Sequence, residues 1–325
     1  MIIRHLLFLL LLFCAFASHA QQEAVTKDGR VVYLHADGTW TFAKESSGKG
    51  GASGLEIPRI GAQDNILTHT GYSFVYSEPH EQALWVAYEL TAEETAKSFD
   101  RTDRFQPDPA VSSGTAGDAD YAGSGFDRGH LAPAADMGWS SRAMEESFYY
   151  SNMSPQSPSF NRGIWKKLEE LVRTWAVEYK AVYITTGPVL RAGLPAIGPN
   201  RVSVPEYYYK VILDNQGPEV KAVGFLMANQ SSSADLRSLA ISIDQVEQAT
   251  GIDFFPLLED EVEEKVEREV CVPCWKWFGD QATREPVIRQ TESTSVQCSG
   301  QTQAGARCKR MTKSPNGRCY QHGGN

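Results

Sequence analysis

The sequence predicts an α+β fold, with a mixed or mainly antiparallel central sheet flanked by helices. Segments rich in β-formers and segments with helical apolar spacing follow one another without the strand–helix alternation of a parallel sheet. No glycine-rich phosphate loop of the nucleotide-binding kind occurs. At 325 residues, with 42% hydrophobic and 22% charged, the chain can bury one large domain with short appendages, or two modest ones.

Residues 1–20 read as a cleaved signal peptide. Arg4 supplies a positive start, Leu6 to Phe16 is almost unbroken apolar chain, and Ser18-His19-Ala20 offers a small-x-small cleavage site. The apolar run is short for a membrane span, and bulky Phe13 before Cys14 argues against a lipid anchor. Export to the periplasm or medium follows, with no stable membrane association.

Residues 21–44 read as a short β-hairpin unit. Asp28-Gly29 and Asp37-Gly38 are turn dipeptides around Val31-Val32-Tyr33-Leu34 and Trp40-Thr41-Phe42. Residues 45–54 form a linker, 55–279 the main domain, 280–297 a second linker, and 298–325 a tail with its own Cys/His pattern.

Within the main domain, strands are predicted at 85–88, 181–185, 207–213 and 222–226. The strongest helix spans 161–179, where Ile164, Trp165, Leu168, Leu171, Val172 and Trp175 form one apolar stripe, with Ser159 as the expected N-cap. A second helix is predicted over about 232–250, stopping near Gly251. The acidic run 259–269 reads as a solvated helix face.

The formal net charge of −9 excludes a uniformly basic nucleic-acid sponge, but not an enzyme with a locally basic cleft. Local positive charge is present in Arg101, Arg104, Arg162, Lys166, Lys167 and Arg173. His35, His69 and His80 stand in β-like or loop contexts. His130 differs in its company: Asp127-Arg128-Gly129 precede it and Pro133 follows, so the segment reads as a strand ending in a polar turn.

Phosphodiester hydrolysis needs a base, a cation for the charge that develops, and a grip on flanking phosphates. Neutral imidazole, a hard Mg²⁺ with few protein ligands, and a planar guanidinium suit those tasks. Asn161 opens the strong helix, where it either caps the helix or turns its amide oxygen to a cation. Glu169 lies about two turns further on. Asn152, on its own, reads as a loop amide.

The segments FDRGHLAPAADM and YYSNMSPQSPSFNRGIWKKLE resemble the DNA/RNA non-specific endonuclease family, the ββα-metal or His-Me finger nucleases. ILTHTGYSFVYSEPHEQALWVAYELT, ITTGP, VPEYYYKVIL and ATGIDFFP extend the resemblance to about residues 55–260. It implies a ββα-metal fold and an endonuclease that cuts DNA and RNA with little sequence preference, leaving 5′ phosphates. His130 would be the general base, and Asn161 the single protein ligand of Mg²⁺, which Mn²⁺ can replace. Arg128 would contact phosphate, Asn152 would support the site, and Glu169 would hold metal-bound water. Arg104 would be the upstream arginine that stabilises the transition state, with Arg101 as the alternative. Relatives often dimerise, so a homodimer is in view. Rival readings are a secreted nuclease toxin and a binding protein that keeps the fold without catalysis.

After export five cysteines remain, an odd number that cannot all pair within one chain. Cys298, Cys308, Cys319 and His322 can form a Cys₃His zinc site, which leaves Cys271 and Cys274 to pair or stay reduced. The alternative is a disulfide among the three with one free thiol. The tail has almost no aliphatic residues, so it needs a staple of either kind. Its basic residues, with no acid among them, suit contact with nucleic acid.

Overall fold

The computed structural model describes residues 22–25, 31–34, 40–42, 54–59, 61, 64–280, 296–302, 305–312 and 317–323. The signal peptide expected over 1–20 lies outside the described residues, as do most of both linkers and the two Asp-Gly turns. Two compact units are formed, Met1–Trp277 and Phe278–Asn325.

The N-terminal unit expected as a hairpin is a three-stranded antiparallel sheet: β1 (Gln22–Val25), β2 (Val31–Leu34) and β3 (Trp40–Phe42), in the order β1-β2-β3. The third strand comes from the segment ahead of the first turn, which the β-rich runs did not mark.

The main sheet has seven strands. They are β4 (Ile66–Thr68), β5 (Ser73–Ser77), β6 (Gln82–Thr91), β9 (Ala181–Pro188), β12 (Tyr207–Asp214), β13 (Lys221–Ala228) and β14 (Ala240–Ile241). Their order is β14-β13-β12-β9-β6-β5-β4, and every pairing is antiparallel. The remaining strands of this unit form two ribbons: β7 (Asp127–His130) with β8 (Met153–Gln156), and β10 (Ala196–Ile197) with β11 (Val202–Ser203).

Alternation along a strand sends successive side chains to opposite faces. On β12, Tyr208 and Ile212 enter one core, while Tyr209, Val211 and Leu213 enter the other. Helices cover both faces. They are α1 (Asp118–Tyr121), α2 (Ser141–Glu146), α3 (Pro158–Phe160), α4 (Lys166–Tyr179), α5 (Ile243–Thr250) and α6 (Asp260–Arg268). The stripe Leu168, Leu171, Val172, Trp175 and Ala176 of α4 is buried in the first core; Ile243 and Val246 of α5 and Val266 of α6 are buried in the second.

Two helix expectations are corrected. Over 232–250 only Ile243–Thr250 is α-helical, because Leu236–Leu239 forms a single tight turn and Ala240–Ile241 pairs with Gly224–Phe225 at the sheet edge. Ser242 and Gln245 cap α5 reciprocally, and Gly251 in the left-handed region ends it. The helix expected to start beyond Ser159 starts at Pro158, capped by Ser157 Oγ, and continues through a wide π turn at Asn161–Trp165 before α4. The acidic run forms α6 as expected.

Cys271 and Cys274 form a disulfide. The segment beyond them packs on α4: the Trp175 ring lies 4.4 Å from that of Trp275 and 5.4 Å from that of Trp277. The second unit contains β15 (Val296–Gln297) paired antiparallel with β16 (Met311–Thr312). No helix among the described residues is long and apolar enough to cross a membrane.

Candidate active site

A ribbon and a helix build the site. β7 carries Asp127, Arg128 and His130, which lie opposite Gln156, Pro155 and Met153 of β8. A Cβ on Gly129 would lie 2.3 Å from the Gln156 side chain, so only glycine lets the two strands close here. β8 feeds directly into α3, the π turn and α4, completing a ββα unit.

Asn152 ties this unit to the chain after His130. Its Oδ1 accepts from the Ala132 amide at 2.9 Å, and its Nδ2 donates to the carbonyls of Ala132 (2.9 Å) and Ser147 (2.8 Å). Every polar atom of this fully buried amide is used within the protein, so its work is positioning. Asn229 does the same at the head of the helix, accepting from the Ser157 amide and donating to the carbonyls of Pro155 and Pro205. Sequence reasoning missed Asn229, because nothing local to it marks three partners so distant along the chain.

The π turn places Asn161 at the mouth of an open cleft of about 600 Å³, whose walls include Arg101, Phe105, Asp118, Asp127, Arg128 and Asn161. Gly163 interrupts helical geometry inside this turn. Asn161 Nδ2 donates to Asp127 Oδ2 at 2.9 Å, which commits the amide nitrogen and turns the oxygen to the other side. Arg162 grips the same carboxylate through Nε (2.8 Å) and Nη2 (2.6 Å). These bonds hold the Asp127 carboxyl below its ordinary pKa against the opposing effect of burial.

Arg128 lies over the Phe105 ring, 4.0 Å from its centroid, and donates to Asp118 Oδ1 at 2.7 Å. Tyr150 also donates to Asp118 Oδ1. Of the two upstream arginines, Arg101 lines the cleft and stacks over Phe148, whereas Arg104 is exposed and is not among the lining residues.

His130 is buried beside two phenyl rings, edge-on to Phe148 at 4.9 Å and to Phe105 at 5.9 Å. Burial lowers its pKa to about 3, and Arg101 and Arg128 add to the shift. The ring is therefore neutral near pH 7. Its Nε2 is buried without a hydrogen-bond partner among the described residues.

Neither His130 nor Glu169 is among the residues lining the cleft; His130 lies behind Phe105, which is. Half-buried on α4, Glu169 interacts with Lys210, Asp136 and Arg173. Arg173 donates to Asp136 Oδ1 at 2.7 Å and Tyr88 donates to Asp136 Oδ2 at 2.8 Å. Lys210 is fully buried on the α4 face of β12, with Nζ 5.0 Å from the Trp165 ring centroid. Burial pushes Glu169 up and Lys210 down, and their mutual attraction opposes both shifts. His69 and His80 are committed elsewhere, to Asp108 Oδ2 at 2.7 Å and to Ser203 Oγ at 2.8 Å. In the C-terminal unit the ligand atoms of Cys298, Cys308, Cys319 and His322 all lie within 4.8 Å of one another.

A family model described as DNA/RNA non-specific endonuclease matches residues 54–261. Human mitochondrial endonuclease G is 36% identical over 206 residues, covering 59% of this chain and 69% of that protein. Nuclease C1 of Cunninghamella echinulata var. echinulata is 37% identical over 226 residues, covering 63% of this chain and 88% of the relative. The crystal structure of the EndoG/EndoGI complex, which concerns inhibition of EndoG, includes a chain that aligns with a TM-score of 0.58 and 30% identity, over 62% of this chain and 89% of that one. The chain belongs to the DNA/RNA non-specific endonuclease family and is a hydrolytic nuclease whose substrates are nucleic acids.

Proposed function

We propose that this protein is an exported, sugar-non-specific endonuclease that hydrolyses phosphodiester bonds of DNA and RNA, with His130 as general base and one Mg²⁺ held through Asn161, leaving 5′ phosphates. The observation that carries this reading is a neutral, buried imidazole with an unpartnered nitrogen, on the same short strand as the cleft arginine Arg128.

The residues at the cleft fit a hard cation. Asn161 offers an amide oxygen while its nitrogen is tied to Asp127, and the open cleft admits the waters that Mg²⁺ keeps. When bound there, the ion supplies positive charge against the charge developing on the phosphoryl oxygens and leaving group. Mn²⁺ shares the oxygen preference and can substitute.

The chain's own groups do the rest. Arg128 exchanges Asp118 for a phosphate oxygen, and Arg101 guides the strand from the same wall; its place in the cleft lining favours Arg101, the alternative to Arg104, for the upstream role. His130 takes a proton from the attacking water. Its low pKa makes it a weak base in the free protein. An arriving phosphate offsets the repulsion from Arg101 and Arg128 and so strengthens the base when it is needed. Asn152 keeps the chain just after His130 in place. Export is supported by the N-terminal 20 residues and by the Cys271–Cys274 disulfide, a bond that persists in oxidising compartments.

Digestion of plasmid DNA and of RNA, with EDTA and with Mg²⁺ or Mn²⁺ added back, tests the proposal together with end-group analysis. His130→Ala is expected to lower the rate roughly 10²-fold or more. A variant with near wild-type cleavage would refute the base assignment. Unimpaired cleavage in EDTA would refute the metal.

A further inference from the structure

We propose that the C-terminal unit is folded around a structural Zn²⁺ ion, bound tetrahedrally by Sγ of Cys298, Cys308 and Cys319 and by Nδ1 of His322. Distances among these atoms carry the proposal. Nδ1 of His322 lies 3.4 Å from Cys298 Sγ and 3.3 Å from Cys319 Sγ, and Cys308 Sγ lies 4.0 Å from Cys319 Sγ. A tetrahedron with zinc–sulfur bonds of about 2.3 Å and a zinc–nitrogen bond of about 2.0 Å has sulfur–sulfur edges of about 3.8 Å and sulfur–nitrogen edges of about 3.5 Å. The observed separations follow that pattern, with the shorter edges on nitrogen. All three cysteines are free and buried, so the unit is not closed by a disulfide among them.

The surroundings orient the ligands. His322 Nε2 lies 2.8 Å from the Gln301 carbonyl, an acceptor only, so this nitrogen carries the proton and Nδ1 presents its lone pair to the sulfurs. Cys298 Sγ accepts from the amides of Gly300 (3.3 Å) and Cys319 (3.2 Å), bonds that stabilise a thiolate. At Gly300 a Cβ would lie 2.4 Å from the His322 ring, so a side chain there would push a ligand out of place. The buried cluster of this unit, among the described residues, consists of the three cysteines alone. With no apolar core, the stabilising element is the ligand set itself.

Soft sulfur ligands with one imidazole select zinc over the hard ion proposed for the cleft. Four protein ligands close the coordination shell, so the ion is structural and leaves no position for water or substrate. Binding needs all three sulfurs as thiolates, so zinc retention falls with acid. EDTA acts on both metals, so loss of cleavage in chelator reports the cleft only when Mg²⁺ alone restores it.

The test uses the whole exported chain, purified under reducing conditions without a metal-binding tag. One zinc per chain is expected by elemental analysis. Exchange for Co²⁺ is expected to produce thiolate charge-transfer absorption and the strong visible bands of a tetrahedral site. Cys308→Ser and His322→Ala should lose the ion, and Gly300→Ala should lower zinc retention against a competing chelator by roughly 10-fold or more. His130→Ala should keep one zinc, which separates this proposal from the catalytic one. Zinc-free protein, full zinc in Cys308→Ser, or a disulfide between two of the three cysteines after purification with zinc present would each overturn it.

Discussion

In the nuclease unit, the helix and sheet that carry the cleft share a core of buried rings and aliphatic chains, with Trp165 and Trp175 from the helical side and Tyr208 and Phe225 from the sheet. In the C-terminal unit the corresponding buried cluster is Cys298, Cys308 and Cys319. The first unit can place Asn161 and His130 without any ion, because burying apolar surface holds the ribbon and helix together. The second has the ligand geometry but little else to hold it. On the two proposals above, the units differ in what a metal would do for them: in the cleft it would supply chemistry, and in the tail the fold.

Four perturbations would break or sharpen this contrast. The largest effect is expected from a zinc-selective chelator applied with Mg²⁺ kept in excess. Structural zinc sites contribute about 10–16 kcal/mol, so the tail should lose all amide-exchange protection and expose three reactive thiols. The nuclease unit's melting should stay put; an equal loss there would mean that the two units stand or fall together. Next, Trp175→Ala removes a fully buried indole packed against Trp275 and should destabilise the nuclease unit by about 3–5 kcal/mol in denaturant titration, leaving zinc content unchanged.

A pH titration of stability comes third. His130 titrates near 3 in the folded protein against an ordinary 6.5. Between these values the unfolded chain binds a proton that the folded one refuses. The stability it contributes is therefore fully present above pH 6.5 and is lost as pH falls toward 3, by a few kcal/mol in all. His130→Gln should flatten that part of the profile; an unchanged slope would show that other groups carry it. The smallest effect belongs to Ser157→Ala, which removes the cap of α3 and should cost about 1 kcal/mol.

Much of this was legible in the chain. Alternating and β-branched runs marked four strands of the main sheet, and the 3.6-residue stripe marked α4, because each pattern is a local record of which face is buried. The DRGH segment has the pattern of a strand ending in a turn, and it forms β7. What sequence could not reveal depended on partners far away. Ala240–Ile241 left a helical pattern to satisfy the sheet edge. Lys210, in the run Tyr-Tyr-Tyr-Lys, gives no sign of being buried beside Trp165. The resemblance set Glu169 beside metal-bound water; that it also faces Lys210, Asp136 and Arg173 across the fold has no local mark in the sequence. Arg128 and Asp118 are ten residues apart on separate elements, and only the folded cleft pairs them.

The wide turn at Asn161–Trp165 also limits how this fold can be edited. Each residue of an α-helix advances the face by about 100°. By spending one residue more than a regular turn, the segment runs in two phases: Asn161 is aimed at Asp127, while the stripe from Leu168 to Ala176 is aimed at the sheet. Deleting a residue here would merge the phases into one smooth helix with better local hydrogen bonding. Trp175 would keep the stripe anchored, so Asn161 would be the end that swings away from the cleft. Shortening this stretch would therefore trade activity for helix regularity, and a homologue of different length at this point would not be a safe template for the position of its asparagine.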